Sequence, residues 1–323
     1  MSKYKQQRSA KFTLAGLLAT TILAFAPNLW AGGDVVHWWV GDAESKALKM
    51  IVDEFESSGG KWVDTPHNDS EAAHASVKSR VIGGKPPAAV LMVVGATSQE
   101  WAKAGMLNDV DSVAKAENWD SVLPDGVASA SKQGGKYIAA PVFISTVNWR
   151  YANLSVLKAS GVDEPISWGA FMTSLPRIQK AGYIPLAVGG QDWQETLFFD
   201  HVALGVGGAQ YFRELLDGNM NTIDSEDTSR VFAAMRALEP FTDVGKAGRS
   251  WGDTNNLVIT GKAGYFFMGD WAKGGFLQAN KTPGQDFSCQ ISPGSGMVLT
   301  AVDGFVFPKT SSGADQSTQV KLA

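Results

Sequence analysis

The run "AAVLMVV", residues 88–94, constrains the chain more than any other stretch. Seven consecutive apolar residues leave no polar face, so a strand here must be covered on both sides, as the strands of parallel sheets are. Around it the apolar spacing alternates between extended and helical periods. After an extended "DVVHWWV", the segment "ESKALKMIVDEFESSGG" places Leu48, Ile51, Val52 and Phe55 at helical spacing and stops at Gly59-Gly60. Further on, "YIAAPVFIS" and "YIPLAV" read as strands, as does "KAGYFFMGDW", which runs into a loop. "TAVDGFVFPK" is the last strand. Between them, "SWGAFMTSLPRIQKAG" predicts a helix from Ser167 that Pro176 must kink or break. "GAQYFRELLDG" and "DTSRVFAAMRALEPF" predict two more, the latter with Val231, Phe232, Met235 and Leu238 on its apolar face. This alternation predicts an α/β fold with mostly parallel sheets flanked by helices.

The chain's 323 residues exceed what one core supports, so two lobes with a cleft between them are expected. No flexible linker is visible, which places strand-like crossings near residues 142–148 and 290–294. Lobe 1 is then residues 32–143 with 293–323, and lobe 2 is residues 144–292. The final "SSGADQSTQVKLA" stops just as another helix begins, and the chain is expected to be truncated there.

The N-terminus reads as a signal peptide over residues 1–31. Lys3, Lys5, Arg8 and Lys11 precede an apolar run at residues 12–26, and "PNLWA" supplies a cleavage site after Ala31. The run falls short of the ~20 residues of a membrane span. Its removal shifts the formal charge from −4 to −8, with no basic cluster left to hold nucleic acid. The single cysteine, Cys289, excludes an intramolecular disulfide and reads as buried and inert. No cysteine near the cleavage site offers a lipid attachment point, so a soluble periplasmic protein is expected.

Neighbouring side chains on a strand point to opposite faces. Of Trp38 and Trp39, one serves a core and its partner is free for another use. Ligands of open α/β sheets bind beyond the carboxyl ends of strands. At such ends lie Trp38, Trp39 and Glu44, then Asp270, then Lys309. Aromatic faces, carboxylates and an ammonium suit a sugar, whose C–H faces pack on rings and whose hydroxyls bond to charged groups. Trp193 in "GGQDWQE" and Trp251 in "SWGDTNN" sit in polar segments that read either as hydroxyl-recognising loops or as surface loops with a packed anchor.

Enzyme signals are unaccompanied. "SASK" and "SVLK" match an acyl-serine pattern without its companion motifs. His67 and His74 lack the spacing of a helical zinc pair, and no cofactor motif is present. Glu44 and Asp270 remain open as a glycosidase acid and nucleophile.

The segments "VVHWWVGDAESKAL", "SRVIGGKPPAAV", "EPISWGAFM", "GGQDWQETLFFDHVAL", "GKAGYFFMGDWAKGGF" and "SPGSGMVLTAVDGFVFPK" resemble the periplasmic sugar-binding proteins of ABC importers, closest to the glucose/mannose-binding group. The resemblance implies two lobes that close on a monosaccharide, a monomer without cofactor or metal, and membrane permease subunits as partners. It implies sugar contacts from Trp38, Trp39, Glu44, Asp270 and Lys309, with Trp193 and Trp251 in matching segments. Departures stand at Leu91 and Val93, where such proteins carry polar side chains, and at Ser145-Thr146, where many have His-Arg. Those departures leave open another or longer saccharide, a carrier for a chemoreceptor, or a remnant that no longer binds.

Overall fold

A computed structural model describes residues 32–323; the segment read as a signal peptide lies outside the described residues. The strands are β1 (Gly33–His37), β2 (Trp62–Pro66), β3 (Ala89–Val93), a short hairpin of β4 (Lys132–Gln133) and β5 (Lys136–Tyr137), β6 (Ala139–Thr146), β7 (Trp149–Asn153), β8 (Ile184–Ala187), β9 (Ala263–Met268), β10 (Phe287–Ile291) and β11 (Thr300–Val306). They build two principal sheets, one ordered β2-β1-β3-β11-β6 and the other β10-β7-β9-β8. The chain passes from the first sheet to the second between Thr146 and Trp149, and returns between Ile291 and Thr300.

The sheets are mixed rather than mostly parallel. β1 pairs in parallel with β2 and β3, and β8 with β9, but β11 is antiparallel to both its neighbours, as β7 is to both of its own. The crossings explain this. β1, β3 and β6 all end at the rim facing the second sheet, so β11, arriving from that sheet, enters at this rim and runs the other way. β7 enters the second sheet under the same constraint.

Alternating side chains of β1 and β3 divide between the two faces of the first sheet. Val36, Val90 and Met92 join one apolar cluster, while Val35, Ala89 and Leu91 join the other. Burial on both faces is why Ala89, Val90, Leu91 and Met92 offer no polar position. The second sheet does the same with β9: Tyr265 and Phe267 face one cluster, Phe266 and Met268 the other.

The helix Trp168–Lys180 begins as expected, with Ser167 Oγ accepting the Ala170 N–H at 3.2 Å. It is not broken by Pro176; the strip Phe171, Leu175, Ile178 stays fully buried on the core through the proline, which holds the helix together there. On the helix Glu226–Leu238, Val231 and Leu238 are buried, but Phe232 is half exposed against Phe199. Cys289 is only partly buried, and burial pushes its thiol up. The last helix, Gly313–Leu322, packs on the first sheet: Leu322 joins its core, and Gln319 Nε2 donates to the carbonyls of Pro308 (2.8 Å) and Ala88 (3.1 Å). No described helix is long and apolar enough to cross a membrane.

Phe171 is fully buried and touches the rings of Tyr265 and Phe267, at centroid distances of 5.3 and 5.2 Å. Phe171→Ala is expected to lower the free energy of urea unfolding by about 3–5 kcal/mol. A loss below about 1 kcal/mol would show that this ring does not anchor the second core.

Candidate functional site

β1 ends at His37, one residue before the tryptophan pair, and the Val40 N–H turns back onto the Trp38 carbonyl at 2.9 Å. The pair divides the labour. Trp39 is 6% exposed; its Nε1–H donates to Asp303 Oδ2 at 3.1 Å, and its ring stands edge-on to Phe143. Trp38 is half-buried, edge-on to His74 with ring centres 5.5 Å apart, and packs against the apolar clusters on both faces of the first sheet. Burial lowers the His74 pKa, so this neighbour adds no charge at neutral pH.

The helix Asp42–Ser57 follows at once. Glu44, in its first turn, reaches back to accept the Gly41 N–H at 2.9 Å, satisfying one of the helix's free donors. Burial nevertheless pushes the Glu44 carboxyl up to about 7, against the pull of the Gly41 N–H, and the charge of Asp303 adds to the rise. Asp303 itself is pushed up to about 6 by burial, partly offset by the Trp39 donor.

Asp303 was not among the residues expected from sequence. It lies on β11 opposite Val93 of β3 and Phe143 of β6, so the three side chains share one face of the sheet. Val93 is 48% and Phe143 38% exposed, which marks this row as the open edge of the first sheet. Leu91, one row in, is fully buried.

The opposite wall belongs to the second sheet. Asp270 follows β9 directly, and its Oδ2 accepts the Thr146 N–H at 2.9 Å while its own N–H donates to the Thr146 carbonyl at 2.9 Å. Tyr151 Oη donates toward the carbonyls of Gly269 and Asp270 at 3.1 and 3.2 Å, fixing the turn. The other carboxylate oxygen, Oδ1, is buried with no partner. Burial raises the Asp270 pKa, opposed by the backbone donors of Thr146 and Trp271.

Trp193 and Trp251 are not in loops. Each occupies the first turn of a helix, Asp192–Leu216 and Trp251–Ile259. The polar residues around them serve helix starts: Ser250 Oγ accepts the Asp253 N–H, and Gln191 Oε1 accepts both Gln194 Nε2–H and the Trp251 N–H. Trp193 lies 6.2 Å from the Trp271 ring, and Trp251 reaches across to the first lobe. A Cβ on Gly41 would sit 3.1 Å from Trp251 Cζ2, and one on Gly274 would sit 2.6 Å from Ala43 Cβ. At these two glycines the walls touch.

The structure thus gathers Trp38, Trp39 and Glu44 on one wall with Asp303. Asp270 and Trp251 stand on the other, while Trp193 packs against the core of the second sheet beside Trp271. Lys309 does not join them. Because β11 runs antiparallel to β3, its carboxyl end points away from the rim; Lys309 lies six residues past Asp303, about 20 Å along the strand. There its N–H bonds to the Met106 carbonyl at 2.8 Å and its side chain is exposed near Gly105. A separate concavity of about 590 Å³ lies on the second lobe among Glu195, Phe198, Met235, Arg236 and Lys246; Lys246 is neutralised there by Glu239 at 2.6 Å.

The family model for bacterial extracellular solute-binding proteins matches residues 40–318. A "Probable sugar-binding periplasmic protein" of Brucella suis biovar 1 (strain 1330) is 37% identical over 281 residues, 86% of this chain and 66% of that protein. One of the same description from Rhizobium meliloti (strain 1021) is 37% identical over 298 residues, 91% of this chain and 71% of the relative. The chain therefore spans about two thirds of the length of these relatives. Among solved structures, the solute receptor AcbH, described as preferring β-D-galactopyranose, superposes with a TM-score of 0.71 at 23% identity, covering 90% of this chain and 75% of that one. A chitin oligosaccharide binding protein reaches 0.76 at 18% identity, with the same coverage. At such identities the likeness speaks for the fold alone.

The raised carboxyls set a pH dependence. Below its unfolded value of 4.5, Glu44 holds a proton in both states; between there and about 7 only the folded chain holds it. Stability therefore falls as pH rises through this window. Glu44→Gln is expected to shrink the loss of unfolding free energy between about pH 5 and pH 7.5 by about 2 kcal/mol. Asp200 and Asp303, pushed up by burial to about 7 and about 6, act with the same sign in both proteins and largely cancel. Urea titrations at the two pH values with equal differences for both proteins would contradict the burial of Glu44.

Proposed function

Because this chain belongs to the bacterial extracellular solute-binding protein family, we propose that it binds a sugar in the cleft between its two sheets and delivers it to the membrane subunits of an ABC importer. It is a binding protein and not an enzyme, as its family is. Its place of work is outside the cytoplasm, periplasmic as in the relatives. The ligand in this reading is a monosaccharide of the glucose or mannose type, and the protein acts as a monomer. The lobes, residues 32–143 with 293–323 and residues 144–292, swing about the two crossings.

One observation supports the reading: at the turn after β9, which is bonded to the last residue of β6, Asp270 Oδ1 is buried with its bonding capacity unused. An unmade bond of that kind costs about 1–3 kcal/mol, which a ligand hydroxyl recovers. Trp38, the less buried of the pair, stacks on the sugar; Trp39 instead holds Asp303 in place. Glu44 and Asp270 accept hydrogen bonds from its hydroxyls, and Trp251 with Trp193 closes the far side. A solute that touches both walls favours the closed state over the open one, and only that differential binding moves the lobes.

Tryptophan fluorescence during titration with glucose, mannose, galactose and maltose is expected to show a saturable change. Asp270→Ala is expected to weaken that binding by about 100-fold, through loss of a charged hydrogen bond and its clip to Thr146. Affinity that stays unchanged in a folded Asp270→Ala protein would remove Asp270 from the site.

A further inference from the structure

We propose that Asn148 is the positioning residue of lobe closure. Its side-chain amide clamps the return crossing to the second lobe, so that both crossings turn at one place, Thr146-Val147 beside Leu299-Thr300. The inference rests on the sugar-binding reading and adds where the motion is made. Asn148 lies fully buried between β6 and β7, in the outgoing crossing. Its Oδ1 accepts the Leu299 N–H at 2.8 Å, and its Nδ2–H donates to the Met297 carbonyl at 2.9 Å. Its own carbonyl accepts the Ser292 N–H at 2.9 Å, one step past the pair Trp149 and Ile291. One residue therefore holds both ends of the segment 292–299.

The register shows what this amide interrupts. β6 and β11 stay paired as far as Thr146 opposite Thr300, and the Val147 N–H still reaches the Leu299 carbonyl at 2.9 Å. In an unbroken antiparallel ladder the Leu299 N–H would return the bond to the Val147 carbonyl. Asn148 Oδ1 takes that N–H instead, and the ladder of the first sheet stops. Past this rung the return crossing is bound to the second lobe. Met297 and Leu299 pack against its core, and Ser292 Oγ bonds to His201. A Cβ on Gly294 would lie 3.1 Å from the Gly205 carbonyl oxygen and 3.5 Å from Trp168 Cβ. The second lobe thus spans residues 147–299, which moves both boundaries drawn from the sequence, 144 and 292, to this rung. Thr146, on the same rung, carries both bonds to Asp270. A turn confined there passes the pull of a ligand on Asp270 into rotation of the lobes, whereas a loose segment 293–299 would absorb it.

The experiment compares the unaltered protein with Asn148→Ala and Asn153→Ala, by residue-resolved amide hydrogen exchange and by calorimetric titration with glucose, mannose, galactose and maltose. Asn153, at the far end of β7, is a matched control. It is buried, its Oδ1 accepts the Val156 N–H at 3.0 Å, and its Nδ2–H donates to the Val258 carbonyl at 2.8 Å, all within the second lobe. In the sugar-free, unaltered protein the Leu299 amide is expected to exchange within about tenfold of the β7 amides. Exchange there at the rate of an open loop would overturn the clamp without any substitution. In Asn148→Ala, exchange at Leu299 should quicken at least about tenfold while the β7 amides keep their rates. Sugar affinity should fall at least about fivefold in Asn148→Ala and stay within about twofold in Asn153→Ala, even where the control loses as much stability to urea. Unchanged affinity in a folded Asn148→Ala protein, or an equal loss in Asn153→Ala, would overturn the role in closure and leave the sugar-binding reading standing. No heat with any sugar, from a folded protein, would overturn the sugar-binding reading and with it the role in closure, while the sugar-free exchange rates still decide the clamp.

Discussion

The reciprocal pair of hydrogen bonds between Thr146 and Asp270 is the constraint on which the site depends. It ties the last residue of β6, where the chain leaves the first sheet, to the turn that ends β9 in the second. One oxygen of Asp270 is thereby committed to the crossing, and the other is buried without a partner. A ligand group bonded to that oxygen couples directly to the backbone about which the lobes move. Nearby, His201 stacks on Phe267 and hydrogen-bonds Ser292 on the return crossing. Burial drives its pKa down to about 3, so this second anchor stays uncharged across the physiological range.

The electrostatics of the cleft follow from what surrounds its acids. A carboxylate at a helix N-terminus is normally favoured in its charged form. Glu44 sits at such a terminus and bonds its backbone, yet its pKa rises, because burial and the charge of Asp303 outweigh the helix. Asp303 is held by one neutral donor, Trp39 Nε1–H, and flanked by Val93 and Phe143. The site is rich in acceptors and poor in positive charge. That imbalance is tolerable in an open, wet cleft and costly in a closed one.

Much of this was legible in the sequence, and the failures share one cause. The buried strand at residues 88–94, the helix with Leu48 and Phe55, and the tryptophan pair at the end of β1 follow from local spacing. Strand direction does not. "TAVDGFVFPK" reads as a strand, but nothing in it says that it enters its sheet from the cleft. Taking its carboxyl end as the ligand end brought Lys309 forward and passed over Asp303; the antiparallel register reverses the two. Trp193 and Trp251 were misplaced for a different reason. Their polar neighbours look like loop residues, whereas Gln191 and Ser250 satisfy donors at helix starts.

The central claim is that a sugar draws together two walls that each supply part of its site. Small-angle X-ray scattering of the protein, alone and saturated with the sugar that titrates, addresses this claim most directly. The account predicts a smaller radius of gyration with sugar bound, and no such change in Asp270→Ala at the same sugar concentration. An intact protein that binds sugar with its radius of gyration unaltered would contradict it, because the two walls would then not be closing on the ligand.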